Sequence, residues 1–164
     1  MMNDRMPYNG SRPGAAARQH RDAFTMLEML VVMIIIALLI AISVPKMARI
    51  IRHERVNRAA QVLVADLQNG FAMAGRQRAP VRLVFNGATL TYTFSDRATG
   101  ILYQTRVMNK ASEFALTSLI ANPSTIDVLP NGIASTAFLV TVTQGDYSRQ
   151  VSASSAGFVR MTPQ

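Results

Sequence analysis

The stretch from Phe24 to Val44, FTMLEMLVVMIIIALLIAISV, constrains the fold more than any other part of the chain. It is predominantly apolar and carries a single charge, Glu28. As a helix rising about 1.5 Å per residue it reaches about 30 Å, the thickness of a bilayer's hydrocarbon core. Its β-branched residues do not argue against a helix, because lipid leaves the backbone no partner but itself. Residues 1–23 before it are polar, contain Pro7, Gly10, Pro13 and Gly14, and show no apolar period. They read as a disordered tail.

Pro45 follows the run, and then Lys46, Arg49, Arg52, Arg55 and Arg58. Proline removes one helical hydrogen bond, so it ends a helix or kinks it. The pattern beyond it favours a kink. Val56, Ala60, Leu63, Leu67, Phe71 and Ala74 recur at helical spacing as one apolar stripe. Gly75 is a plausible stop. Residues 24–75 are thus expected to form one long helix, apolar all round in its first half and amphipathic in its second.

After Pro80 the apolar period becomes two. Segments 81–85, 89–95 and 101–107 read as strands, with Asn86-Gly87 as a hairpin signal between the first two. Residues 113–120 are ambiguous. Strands are expected again at 125–129, 137–143, 148–153 and 157–161, with turns at Pro130-Asn131-Gly132, Gln144-Gly145-Asp146 and Ser155-Ala156-Gly157. An antiparallel sheet needs a cover for its apolar face, and the stripe 56–74 is the available one. The expected class is α+β: a long N-terminal helix packed against one or two small antiparallel sheets.

Composition narrows the chemistry. The 164 residues include no cysteine, which excludes disulfides, thiolate metal sites and a thiol nucleophile. Only His20 and His53 supply imidazole, one in the tail and one beside the arginines, neither with an evident partner. No metal or cofactor is expected. The carboxylates beyond the apolar run, Glu54, Asp66, Asp96, Glu113, Asp127 and Asp146, are scattered, and Asp127 and Asp146 read as surface or turn residues. No phosphate-binding loop, HExxH or GxSxG pattern occurs, so an enzyme is not expected. The formal charge of +8, from 17 basic and 9 acidic residues, admits anionic lipid or nucleic acid as a partner.

Glu28 is the residue that asks for an explanation. A carboxylate in the bilayer costs several kcal/mol unless water or a partner reaches it. If the chain were cut between Ala23 and Phe24, the new α-amino group would lie one helical turn from Glu28 on the same face. The other reading is that Glu28 lies at the headgroups and snorkels. A secretory signal places its apolar run before the cut, whereas here the polar leader stops where the run starts.

Ala23-Phe24-Thr25-Met26-Leu27-Glu28 with the run behind it resembles the signal of type IV prepilins, with Ala23 where Gly is usual. The resemblance implies cleavage between Ala23 and Phe24 by prepilin peptidase on the cytoplasmic face, with N-methylation of Phe24. It also implies an assembly role for Glu28 and a helix kink at Pro45. Ile126-Asp127-Val128-Leu129-Pro130-Asn131-Gly132, the two strands after it and Ala156-Gly157-Phe158-Val159-Arg160 are similar to the GspH/FimT type of minor pseudopilin. The implied layout is a cytoplasmic leader at 1–23, a transmembrane and assembly helix at 24–44, its amphipathic continuation at 45–75 and a periplasmic β-rich domain at 80–164. Implied partners are other pilin or pseudopilin subunits, prepilin peptidase, an assembly platform and inner-membrane lipid. The filament is a type II secretion pseudopilus or a type IV pilus. The positive-inside rule does not fix the orientation, because cations flank the run on both sides; the N-in orientation comes from the resemblance.

The five cations at 46–58 recur every three residues and so drift around a helix. They are candidate headgroup contacts. FimT-like relatives that bind DNA for uptake carry a pair of arginines on the closing strand, and Phe158 stands in the first one's place, which weakens that alternative. A further alternative is a soluble β-domain released by cleavage after Ser43, since Ala41-Ile42-Ser43 suits a signal peptidase.

Overall fold

A computed structural model describes residues 24–163; the leader and Ala23 lie outside them. The described residues divide into two units, one up to Ile40 and one from Ala41 onward, and the packed core belongs to the second.

Helix α1 runs from Met26 to Gln77, and its first part is long and apolar enough to cross a membrane. The stripe expected from the spacing enters the core: Val56, Ala60, Leu63, Leu67 and Ala74 are fully buried, while Phe71 packs at the margin. Each such Leu or Val contributes about 1.5–3 kcal/mol by leaving water. Gly75 does not stop the helix. It lies inside the last turn, and Arg78 takes the left-handed conformation instead, at φ 52°. Pro80 disfavours helical backbone at Ala79, so the helix cannot run on past Arg78.

Eight strands follow: β1 Val81–Asn86, β2 Thr91–Asp96, β3 Leu102–Val107, β4 Ser118–Asn122, β5 Thr125–Val128, β6 Phe138–Gln144, β7 Tyr147–Ala153 and β8 Val159–Pro163. They form two four-stranded antiparallel sheets, in the orders β3-β2-β1-β5 and β4-β6-β7-β8. Alternation sorts the side chains. Val81, Leu83 and Phe85 of β1, Tyr92 and Phe94 of β2, and Phe138, Val140 and Val142 of β6 point inward with the helix stripe. The ambiguous segment 113–120 is mostly loop and yields only the start of β4.

The β1–β2 connection departs from the two-residue turn that Asn-Gly suggests. Asn86 pairs with Thr91, so the loop holds four residues. The Asn86 side-chain oxygen accepts from the amides of Ala88 and Thr89, and Leu90 carries the positive φ of 55°. Asparagine acts here through its side chain, as an Asx turn. Gly70 marks a close helix–sheet approach. A Cβ there would lie 2.4 Å from the Phe94 ring, so only glycine fits.

Candidate assembly segment and its flanking charges

The helix begins with a cap. The Thr25 side-chain oxygen accepts from the Glu28 amide at 3.1 Å, and the Thr25 carbonyl accepts from the Met29 amide at 3.2 Å. Thr25-Met26-Leu27-Glu28 thus has the S/T-x-x-E form of a capping box, and Glu28 sits in the first turn, where the helix dipole favours an anion. This local role was legible in the sequence as Thr three residues before Glu. Phe24 precedes the cap and is 72% exposed, and Glu28 is also exposed. Ala23, the other residue of the expected cut, lies outside the described residues. The helix continues through Pro45 as one element.

The five cations do not share one environment. Lys46, Arg49, Arg55 and Arg58 are exposed, with no ion pair among the described residues. Arg52 is half-buried, and its Nε lies 3.5 Å from Asp146 on the β6–β7 turn. His53, expected to lack a partner, stacks on Tyr147 with ring centroids 3.9 Å apart. The Arg149 guanidinium lies 5.3 Å from the other partner of that stack, the Tyr147 ring, and its Nε donates to Asn57 Oδ1 at 2.9 Å. Arg52, His53 and Asn57 therefore hold the β6–β7 hairpin to the helix.

Two carboxylates form ion pairs that sequence spacing did not reveal. Asp66 accepts from Tyr92 Oη at 2.7 Å and from Arg106 Nε and Nη2 at 2.9 and 3.1 Å. Burial alone would raise the Asp66 pKa, but the hydrogen bonds from Arg106, Tyr92 and Gln104 outweigh it and hold it below the ordinary value. The same burial and the neighbouring carboxylate push the Tyr92 phenol well up. Asp127, read from sequence as a surface or turn residue, is only 17% exposed in its side chain. Arg82 grips it from the adjacent strand at 2.8 and 3.1 Å, and Arg97 approaches at 3.2 Å. The Arg82 hydrogen bonds hold the Asp127 carboxyl below its usual range. Both carboxylates are engaged by arginines and offer no free acid–base pair. Asp146 does lie in a turn and is exposed, as expected, but pairs with Arg52.

The closing strand is displayed by a tight turn. Ser154 donates its amide to the Phe158 carbonyl at 2.9 Å, and the Ser154 hydroxyl accepts from the Phe158 amide at 3.1 Å. Gly157 takes a φ of 83° there. Phe158 is 73% exposed, and Arg160 is exposed on β8.

Residues 18–44 match the model of the prokaryotic N-terminal methylation motif. The fold resembles the minor pseudopilin EpsH from the type 2 secretion system of Vibrio cholerae, with a TM-score of 0.55 at 17% identity over 66% of this chain and 97% of that one. It is similarly close to the type IV minor pilin FimU of Pseudomonas aeruginosa, with a TM-score of 0.55 at 20% identity over 67% of this chain and 90% of the other. The chain has a pilin fold. A search of curated proteins found no match. In this pilin-like chain the methylation motif covers the cap, Glu28 and the apolar run, while the solved relatives support the helix-and-two-sheet architecture.

Proposed function

We propose that the chain is a structural minor pilin or pseudopilin subunit, assembled into a type II secretion pseudopilus or a type IV pilus. The observation that carries this reading is the methylation motif at residues 18–44 joined to a pilin fold. In this reading prepilin peptidase cuts between Ala23 and Phe24 and the new Phe24 amine is methylated. The subunit waits in the inner membrane, with its N-terminus cytoplasmic and its β-domain periplasmic, until an assembly platform moves it into the filament. Glu28 pairs with the Phe24 amine of a neighbouring subunit, which neutralises a carboxylate that lipid penalises. Pro45 supplies a weak point in the helix, because it lacks the amide its turn would use.

The Thr25 hydroxyl is held by the Glu28 backbone amide, and the capping-box position also favours a Glu or Gln side chain at residue 28, a second, local duty at the helix start. The two duties separate by substitution. Glutamine keeps a side chain that suits the capping position but removes the charge, whereas valine removes both. DNA uptake draws less support: the closing strand presents Arg160 beside an exposed Phe158 rather than beside a second arginine. Expression with a prepilin peptidase, followed by N-terminal sequencing and intact mass, tests the proposal. A membrane-bound chain starting at methylated Phe24 is expected. A soluble chain starting at Val44 would replace the filament subunit with a secreted β-domain.

A further inference from the structure

The segment from Lys46 to Ile51 combines two features that a soluble helix surface does not need together. Met47, Ile50 and Ile51 are exposed by 61%, 57% and 46%. At 3.6 residues per turn they lie on the face opposite the Val56, Ala60, Leu63 and Leu67 stripe. Lys46 lies on the flank of that face and Arg49 on the stripe side, both exposed and without an ion pair among the described residues. Apolar side chains with cations beside them suit the boundary layer of a membrane, where stems lie in hydrocarbon and charged tips reach phosphate.

Three observations favour an anionic lipid surface over a linear polyanion. First, the cations drift around the axis instead of lining up. A drifting set makes a poor strip for a nucleic acid backbone, but a helix leaving a bilayer is surrounded by headgroups on every side. Second, the position agrees. Residues 46–51 follow directly on the apolar run that ends at Val44, where a helix leaving hydrocarbon meets the headgroups. Third, the segment has an end. Arg52 is turned to Asp146 at 3.5 Å, and a Cβ on the neighbouring Gly145 would lie 3.3 Å from Arg52 Cδ. The β6–β7 turn therefore occupies the helix flank at Arg52, and lipid cannot pass it on that side.

We propose that residues 46–51 form an interfacial collar that seats in the headgroup layer of an anionic phospholipid leaflet. Lys46 and Arg49 meet the phosphates, Met47, Ile50 and Ile51 enter the acyl boundary, and the Gly145–Asp146 turn acts as the stop. Arg55 and Arg58 lie beyond the stop and act only through their field, which salt screens within about 10 Å. Arg52, neutralised by Asp146, adds little. This rests on the membrane reading of the apolar run.

The absence of cysteine allows single labels to be placed on the full-length chain. An environment-sensitive fluorophore is attached to Ile36→Cys, Met47→Cys or Gln61→Cys, and each protein is reconstituted into vesicles of phosphatidylcholine alone or mixed with phosphatidylglycerol. Expected is an Ile36 label shielded from an aqueous quencher in both, a Gln61 label open in both, and a Met47 label shielded far more in the anionic vesicles. Lys46→Gln and Arg49→Gln should each lower the docked-to-undocked ratio at Met47 about fivefold at low salt, and Arg58→Gln much less. A Met47 label equally quenched in both vesicles, or indifferent to loss of Lys46 and Arg49, overturns the collar while the Ile36 label still reports insertion. An Ile36 label open to quencher in both overturns the membrane reading and the collar with it. Shielding of Met47 by duplex DNA but not by phosphatidylglycerol reassigns the cations to nucleic acid.

Discussion

Removing the Asp66 carboxylate should cost the β-domain about 3 kcal/mol. Asp66 is 5% exposed and accepts hydrogen bonds from Tyr92 and Arg106, with Gln104 as a further donor. In Asp66→Ala the Tyr92 hydroxyl is left without its acceptor, on a side chain with no exposed surface. An orphaned buried hydroxyl costs about 1–3 kcal/mol. Arg106 also loses its carboxylate, but with 36% of its side chain in water it can rehydrate. Its loss is therefore set near 1 kcal/mol, below the 3–5 kcal/mol typical of a broken, fully buried pair. For a domain of this size 3 kcal/mol corresponds to a fall in Tm of roughly 12 °C. The assay is thermal unfolding in detergent, followed by the near-ultraviolet circular dichroism of the tyrosines. Tyr92→Phe alone should cost about 1 kcal/mol. In the Asp66→Ala background it should cost nothing or restore some stability, because it removes the orphaned hydroxyl. Strictly additive losses would refute this account of the network. The pH dependence has a definite sign. The folded carboxyl holds its proton less readily than the unfolded one, so the stabilisation is present in full above the ordinary value near 3.8 and is lost as pH falls through the lower folded value. The difference between wild type and Asp66→Ala should therefore shrink in acid.

Gly70→Ala should destabilise the domain by about 1–3 kcal/mol, because its Cβ would meet the packed Phe94 ring at 2.4 Å; a neutral result in chemical denaturation would show that the ring has room to move. Glu28→Gln should leave membrane insertion and helix start intact but impair incorporation into filaments, and Glu28→Val should impair both incorporation and the helix start. Wild-type filament entry by either variant, measured on sheared filaments, would remove the pairing with the Phe24 amine.

The local features of the fold were legible and the long-range ones were not. The stripe from Val56 to Ala74 announced itself through spacing, since a helix face depends only on neighbours three and four apart. Seven of the eight strands likewise followed from period two, whereas β4, inside the ambiguous segment 113–120, did not. By contrast, β5 pairs with β1 across the chain, bringing Asp127 beside Arg82, and no local spacing encodes that. Asp66 and Arg106 meet because β3 lies beside β2 and β2 under the helix, so their partnership is a property of topology. His53 found Tyr147 for the same reason. The Thr25 cap was local and readable, but the apolar run behind it drew the eye to charge burial instead. Gly75 suits a helix end by residue type, yet the helix runs on to Gln77, and Pro80 bars its continuation through Ala79.

The burial of the helix stripe in the core has a mechanical consequence. Val56, Leu63, Leu67 and Ala74 are distributed along α1 and are all buried in one core with side chains of both sheets. A pull along the helix axis would have to drag these side chains through their sockets together, loading the contacts in parallel. A peeling force would open them one after another and meet far less resistance. A domain built this way is suited to being hauled by its helix, and its weak direction is sideways.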